Sequence, residues 1–189
     1  EAGWSAFNTD VYGIQKSLST AGVTEIDRAS VIGSGATAVS AVLAVARNYP
    51  NAKLVLAARN KAALSELVEF AKKVGLNNVK TASVRKALTK SDLVISSLPS
   101  GALDADIQAL AKSRFAKPNG VFFDVAYDPW PSARGVEWEI AGGISVSGLR
   151  MLAHQAVIQA RHFTSGDGAL PLPHEEDVRR AMFEAVGLD

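Results

Sequence analysis

The segment Val31-Ile32-Gly33-Ser34-Gly35-Ala36-Thr37-Ala38 has the spacing G-x-G-x-x-A, and its residue types point directly to a phosphate-bearing ligand. Each small residue has a physical task. Gly33 permits a tight turn, Gly35 lets backbone approach a pyrophosphate, and Ala38 allows close contact between helix and strand. Ser34, Ala36 and Thr37 occupy the turn and the first helical positions, where free N–H groups and the positive end of the helix dipole attract phosphate. The spacing alone also fits a plain tight turn. A strand before it, a helix after it and a second strand beyond are the context that a dinucleotide loop needs.

The end of the second strand selects between dinucleotides. A site for NAD usually has an acid there to bind the ribose hydroxyls. This chain has Ala57-Ala58-Arg59-Asn60-Lys61 and no acid. Arg59 can bind a 2′-phosphate through charge-assisted hydrogen bonds, Asn60 can add a donor, and Lys61 adds positive charge. A solvated basic turn is the alternative for these three residues. Taken with the glycine loop, they favour NADP over NAD.

The elements that must carry these residues alternate. Apolar runs at Ala29–Ile32, Lys53–Ala57, Val79–Ala82, Leu93–Ser96, Val121–Val125 and Ile144–Val146 read as strands. Helical patterns fall between the first five, at Ala36–Arg47, Lys61–Val74 (ended by Gly75), Val84–Thr89 and Leu103–Lys112. Strands alternating with helices imply βαβ units, and apolar runs with little alternation imply strands covered on both faces. The expected fold is α/β, a doubly wound Rossmann-like parallel sheet with flanking N- and C-terminal helices. The flanking helices are Thr9–Thr20, Leu149–Phe163 and Glu175–Val186, with a Gly- and Pro-rich loop at Ser165–Pro173. They can join a second domain or simply pack on the sheet.

Composition narrows the classes further. The 189 residues are 48% hydrophobic, enough for one substantial core, and the net charge is +1. So small a net charge gives no field for nucleic acid or an anionic membrane, although one local positive site could hold a small anion. The absence of cysteine excludes disulfides and thiolate metal sites and fits a cytoplasmic setting. His154, His162 and His174 have no metal-ligand spacing, and no metal site is expected. No Gly-x-Ser-x-Gly elbow suggests a hydrolase. Apolar runs are too short for a membrane-crossing helix. Glu1 opens the chain without Met or a signal pattern, so the chain reads as a piece of something longer.

Four further segments, in order around the dinucleotide pattern, resemble the shikimate dehydrogenases. Phe7-Asn8-Thr9-Asp10-Val11-Tyr12-Gly13 resembles that family's Asn-Thr-Asp-x-x-Gly motif, and Ala58-Arg59-Asn60 its Asn-Arg-Thr cofactor loop. Asp124-Val125-Ala126-Tyr127-Asp128-Pro129 is similar to its Asp-x-x-Tyr-x-Pro segment. Gly148–Ala156 is similar to its Gly-x-x-Met-Leu-x-x-Gln-Ala helix start. The resemblance implies NADP-linked interconversion of 3-dehydroshikimate and shikimate. It implies that Asp10 is the catalytic Asp of a Lys–Asp pair, ionised and orienting the Lys, with Asn8, Asp10, Tyr127 and Gln155 binding substrate. It also implies that Ser97, Leu98, Pro99, Val125 and Met151 complete the cofactor set. From pattern alone Asp10 is equally a helix N-cap, Gln155 a surface residue and Tyr127-Asp128-Pro129 a turn.

The resemblance further implies an organisation in which residues 1–20 are an interdomain helix bearing the motif. Residues 21–147 would then be the dinucleotide-binding domain and residues 148–189 C-terminal helices. The family's substrate domain, with the catalytic Lys, normally precedes the Asn-Thr-Asp motif and has no counterpart here, so this piece alone is expected to be inactive. Departures from the family pattern are Ala36 for a glycine, Ala58 for Asn, Asn60 for Thr, Ser96-Ser97-Leu98-Pro99 for Asn-Ala-Thr-Pro and Arg150 for a frequent glycine. They leave open a quinate/shikimate dehydrogenase using NAD. A non-catalytic dinucleotide-binding module and another dehydrogenase type, such as the methylene-tetrahydrofolate or glutamyl-tRNA reductase kinds, are the remaining alternatives.

Overall fold

Alternating apolar and amphipathic runs become strands and helices in strict succession. The computed structural model describes residues 3, 5–113 and 120–188, so the outermost residues of the two end segments (1–2, 4 and 189) lie outside the described part. The order is α1 (Asp10–Thr20), β1 (Arg28–Ile32), α2 (Ala36–Asn48), β2 (Lys53–Ala57), α3 (Lys61–Lys73), β3 (Val79–Thr81) and α4 (Val84–Thr89). Then follow β4 (Leu93–Ser96), α5 (Asp104–Ala111), β5 (Val121–Asp124), α6 (Ala133–Ile140), β6 (Ile144–Ser147), α7 (Gly148–Ser165) and α8 (Glu175–Ala185). The strands form one parallel sheet in the order β3-β2-β1-β4-β5-β6, the expected doubly wound Rossmann-like arrangement.

Successive strand residues feed opposite faces. Val31, Ile95 and Phe123 enter the core under α1, α2 and α3, whereas their neighbours Ile32, Val94 and Phe122 enter the core with Leu88, Ile107, Leu110 and Trp138. All are buried, and each large side chain contributes roughly 1.5–3 kcal/mol relative to exposure. The Ala-rich face of α2 (Ala38, Ala41, Ala44) lets that helix lie close on the sheet. No helix of the described residues is long and apolar enough to cross a membrane.

The flanking helices pack on this frame. Helix α1 lies against α7 and α2. Gly13 makes that approach possible, because a Cβ there would stand 2.8 Å from the Met151 carbonyl oxygen and 2.9 Å from its Cγ. Helix α8 closes on α7 through Phe183 and Leu188 packed around Ala153. An ion pair of Arg161 and Glu175, 2.5 Å apart, supports the same junction.

One helix, α6, was not expected from the sequence, and most element ends shift by a residue or two. The segment between Val125 and Ile144 has no element assigned from the sequence, and Pro131, Ser132 and Gly135 carry weak helix propensity. Tertiary packing overrides it. Ser132 caps the helix by accepting from the Gly135 amide at 3.1 Å. Trp138 is fully buried against Phe122, with ring centroids 5.1 Å apart, and donates to the Gly120 carbonyl.

His154 on α7 is buried, its Nε2 has no partner, and it meets the Phe183 ring edge-on at 4.8 Å. Burial, reinforced by the positive charges of Lys16, Arg179 and Arg150, lowers its pKa to about 4. The folded state therefore holds it neutral, while the unfolded chain protonates near the ordinary value of 6.5. Its contribution is fully present above pH 6.5 and is lost as the pH falls toward 4. Urea titrations at pH 7 and pH 4 should show the wild type losing on the order of 2 kcal/mol more than His154→Leu. Equal losses would show that His154 does not titrate as its burial demands.

Candidate functional site

The parallel register aligns the strand ends. Ile32 pairs with Ala57 and with Ser96, Ser96 with Asp124, and Asp124 with Ser147. The chain leaves this row in opposite directions at β1 and β4, which opens a crevice between them, the place where such sheets bind ligands. A cleft of about 560 Å³ lies there. Gly33, Ser34, Gly35, Arg59, Asn60, Ser97 and Leu98 line it, as the sequence predicts.

The glycine loop is built for close approach. Gly33 has φ 124°, and a Cβ on it would lie 2.2 Å from Ser97 Oγ. Its amide donates to the Ala57 carbonyl at 2.9 Å, and Ser97 donates to the Ile32 carbonyl through both its amide and its hydroxyl. Gly35 caps α2, and nothing lies within 4 Å of where its Cβ would be. The open space beside the unpaired N–H groups of the first helical turn fits a pyrophosphate. Ala36 opens the helix, and Ala38 is buried against the sheet rather than in the cleft.

Arg59 is exposed at the cleft edge. Asn60 also caps α3, its side-chain oxygen accepting from the Ala63 amide at 3.2 Å, which leaves its Nδ2 as the group able to donate. Lys61 is the first residue of α3 and is not part of the lining.

A smaller pocket of about 120 Å³ adjoins the same helix N-terminus. It is lined by Asp10, Thr37, Val125, Tyr127, Gly148, Met151, Leu152 and Gln155. Three of the four substrate-side residues expected from the sequence therefore share a pocket with three of the cofactor-side residues. Gln155 Oε1 is buried without a partner, and Tyr127 is half exposed. Asp10 stands at the start of α1 but is not its cap. Thr9 is the cap residue, and Asn8 before it satisfies the first turn, its Oδ1 accepting from the Asp10 amide at 3.0 Å and the Val11 amide at 3.4 Å. The Asn8 amide nitrogen donates to Ser40 at 3.0 Å, so Asn8 ties α1 to α2 outside the pocket lining. Among the described residues no group of His, Asp and Glu is placed to hold a metal ion.

No family model matches the chain. Its curated relatives include the NADP(+) shikimate dehydrogenase of Prochlorococcus marinus strain MIT 9312, 26% identical over 172 residues. That match covers 86% of this chain and 59% of the relative. Among solved structures, the Mycobacterium tuberculosis shikimate dehydrogenase superposes with a TM-score of 0.76 at 32% identity, over 97% of this chain and 63% of that one. A shikimate 5-dehydrogenase from Mycobacterium fortuitum gives 0.75 at 34%, over 96% and 63%. These neighbours are shikimate dehydrogenases, and the likeness extends over nearly the whole of this chain. The chain spans about six tenths of the length of the shikimate dehydrogenases it matches.

Beside the shikimate dehydrogenase motifs, the structure adds residues that sequence reading missed. Val84, Leu103 and Asp106 line the cleft from the segments after β3 and β4. The rule that ligands lie beyond the strand ends on both sides of the switch point could have indicated those segments. Behind the cleft lies a buried ion pair. Arg134 Nε and Nη2 meet the two Asp124 carboxylate oxygens at 2.6 Å each, both side chains wholly buried. Ser132 donates to the same carboxylate at 2.8 Å and the Ala126 amide at 3.2 Å. Arg134 Nη1 donates to the Pro99 carbonyl at 2.9 Å. Pro99, expected to touch cofactor, is thus turned to this network and lies outside the cleft lining.

Arg134→Met leaves the Asp124 carboxylate buried with its countercharge removed and should destabilise the chain by about 3–5 kcal/mol. Asp124→Leu combined with Arg134→Met should recover much of that loss, as read by urea unfolding. A double variant no more stable than Arg134→Met would show that the Pro99 contact, not the ion pair, carries the effect.

Proposed function

We propose that this chain is the dinucleotide-binding part of an NADP-dependent shikimate dehydrogenase that interconverts 3-dehydroshikimate and shikimate. The observation that carries the reading is the shared pocket. Asp10, Tyr127 and Gln155 from three separate segments stand against Thr37 of the helix that opens from the glycine loop. The division into residues 1–20, 21–147 and 148–189 belongs to the same proposal, with α1 and α7 carrying the substrate side and the sheet carrying the cofactor.

NADP, when bound, supplies or takes up the hydride. The chain's own residues do the rest. The Gly33–Thr37 turn binds the pyrophosphate through backbone N–H groups, and Arg59 pairs with the 2′-phosphate, with Asn60 Nδ2 as an additional donor. Val125 and Met151 give the small pocket an apolar wall, which keeps water from the reacting carbon. Asp10 accepts a hydrogen bond from the substrate hydroxyl and orients the Lys that the resemblance puts in the preceding domain. Gln155, with an unpaired buried oxygen, takes a further substrate hydroxyl. A site built on such hydrogen bonds rejects analogues that lack the matching group.

A second reading, use of NAD, has an observation of its own. Asp106 is the one acid in the described cleft lining and could bind ribose hydroxyls. Titrating the chain with NADPH and NADH separates the two. NADPH should bind more tightly, and Arg59→Ala should weaken NADPH by roughly 10- to 100-fold while leaving NADH nearly unchanged. Equal affinities in the wild type would overturn the NADP assignment. In the full-length protein, Asp10→Asn should lower kcat for shikimate oxidation by about 100-fold or more with NADPH binding intact. Unchanged kcat would remove Asp10 from the chemistry.

A further inference from the structure

A second cavity, of about 520 Å³, lies on the sheet face beside α4 and outside the cleft just described. Arg28, Lys53, Lys80, Lys86 and Lys90 line it, and no acid does. None of the five takes part in an ion pair among the described residues. Asp92, beside Lys90 in sequence, is turned away to accept the Asp27 and Arg28 backbone amides at 3.0 and 2.9 Å. The Arg28 guanidinium is fixed in place by donating to the Lys90 carbonyl at 2.5 Å.

Lys53, Lys80, Lys86 and Lys90 are exposed and Arg28 is half-buried, so all five cations are open to a counter-ion from solvent. Lys86 in α4 and Lys90, the residue that caps its C-terminus, are four residues apart, where like charges repel. Five cations in one concavity concentrate the field in a chain whose net charge is only +1. Protection of a sheet edge explains Lys80 on the outer strand β3. It does not explain Lys53 on the inner strand β2, Arg28 on β1, Lys86 of α4 or Lys90 just past it. The volume is that of a small-molecule site and too small for a nucleic acid duplex.

We infer that this cavity is a second anion site, which takes a small soluble ligand carrying several phosphate charges. Helix α4 is a wall common to both sites, since Val84 at its start lines the dinucleotide cleft.

Inorganic tripolyphosphate, titrated into the isotope-labelled chain at low salt and followed by amide chemical shifts, tests it. The amides of Lys80, Lys86 and Lys90 should shift and saturate below about 1 mM. The double charge reversal Lys80→Glu with Lys86→Glu should raise the dissociation constant roughly tenfold or more, while Arg59→Ala should leave it unchanged. Shifts confined to residues 33–38, no saturation by about 10 mM, or indifference to the charge reversal would each overturn the site. If the reversed variant does not fold, the wild-type shift map still decides. Sedimentation with phosphatidylglycerol vesicles, with these amides unmoved by tripolyphosphate, would assign the charge to a lipid surface and overturn a soluble ligand.

Discussion

The geometry of both the cleft and the small pocket depends on one buried contact, the ion pair of Asp124 and Arg134. Two full charges at zero exposure are tolerable only when nearly every donor and acceptor is used. Here the carboxylate accepts from Arg134, Ser132 and Ala126, and the guanidinium also reaches the Pro99 carbonyl. The consequence is spatial. Asp124 ends β5 and leads into Val125 and Tyr127 of the small pocket, while Pro99 belongs to the turn after β4 that carries Ser97 and Leu98 into the cleft. One rigid bidentate contact therefore sets the spacing between the wall of the cleft and the wall of the pocket.

The opposite side of the crevice is held by neutral hydrogen bonds to backbone carbonyls. Gly33 hydrogen-bonds to the end of β2, and Ser97 hydrogen-bonds to the end of β1, so three strand ends share one fixed turn. A neutral backbone cradle is indifferent to which dinucleotide enters. Discrimination is left to the rim, where Arg59 and Asp106 bring opposite charges to one cavity. Arg59 follows the missing acid at the end of β2, and Asp106 comes from α5. In the proposed NADP reading, the balance of these two charges, rather than the glycine loop, would separate a 2′-phosphate from a 2′-hydroxyl.

Much of this was legible in the sequence, for reasons that differ by element. The strands were readable because burial on both faces requires continuous apolar runs, as in Leu93–Ser96. The glycine loop was readable because its constraint is local, a positive φ and a close contact within a few residues. Asp10, Tyr127 and Gln155 were visible only through resemblance, since nothing local marks residues that meet across 145 positions of chain. Arg134 carried no signal at all. An arginine just past Pro131 and Ser132 reads as a solvated turn residue, and only the fold places it against a carboxylate ten residues earlier. Helix α6 was hidden for the same reason, because Trp138 packing on Phe122 outweighs the weak propensity of its first turn. Asn8 was read as a substrate ligand, but its amide is occupied with the first turn of α1 and holding Ser40. The Asn-Thr-Asp motif thus has a structural half and a half that faces the pocket.

The net charge of +1 concealed how unevenly the charges are placed. Most acids of α8 are neutralised locally: Glu175 pairs with Arg161, Glu176 with Arg179 and Asp177 with Arg180. Those pairs hold the carboxyls of Glu175 and Glu176 below their ordinary range through hydrogen bonds to arginine. Arg134 is likewise satisfied inside the fold. Cations without an ion pair among the described residues include Arg59 at the cleft rim and five more around the cavity beside α4. A net charge of +1 is therefore compatible with a local cavity whose charged lining residues are all cations. The chain's capacity for anions resides in where the unpaired bases sit, and both of those places lie within one short helix of each other.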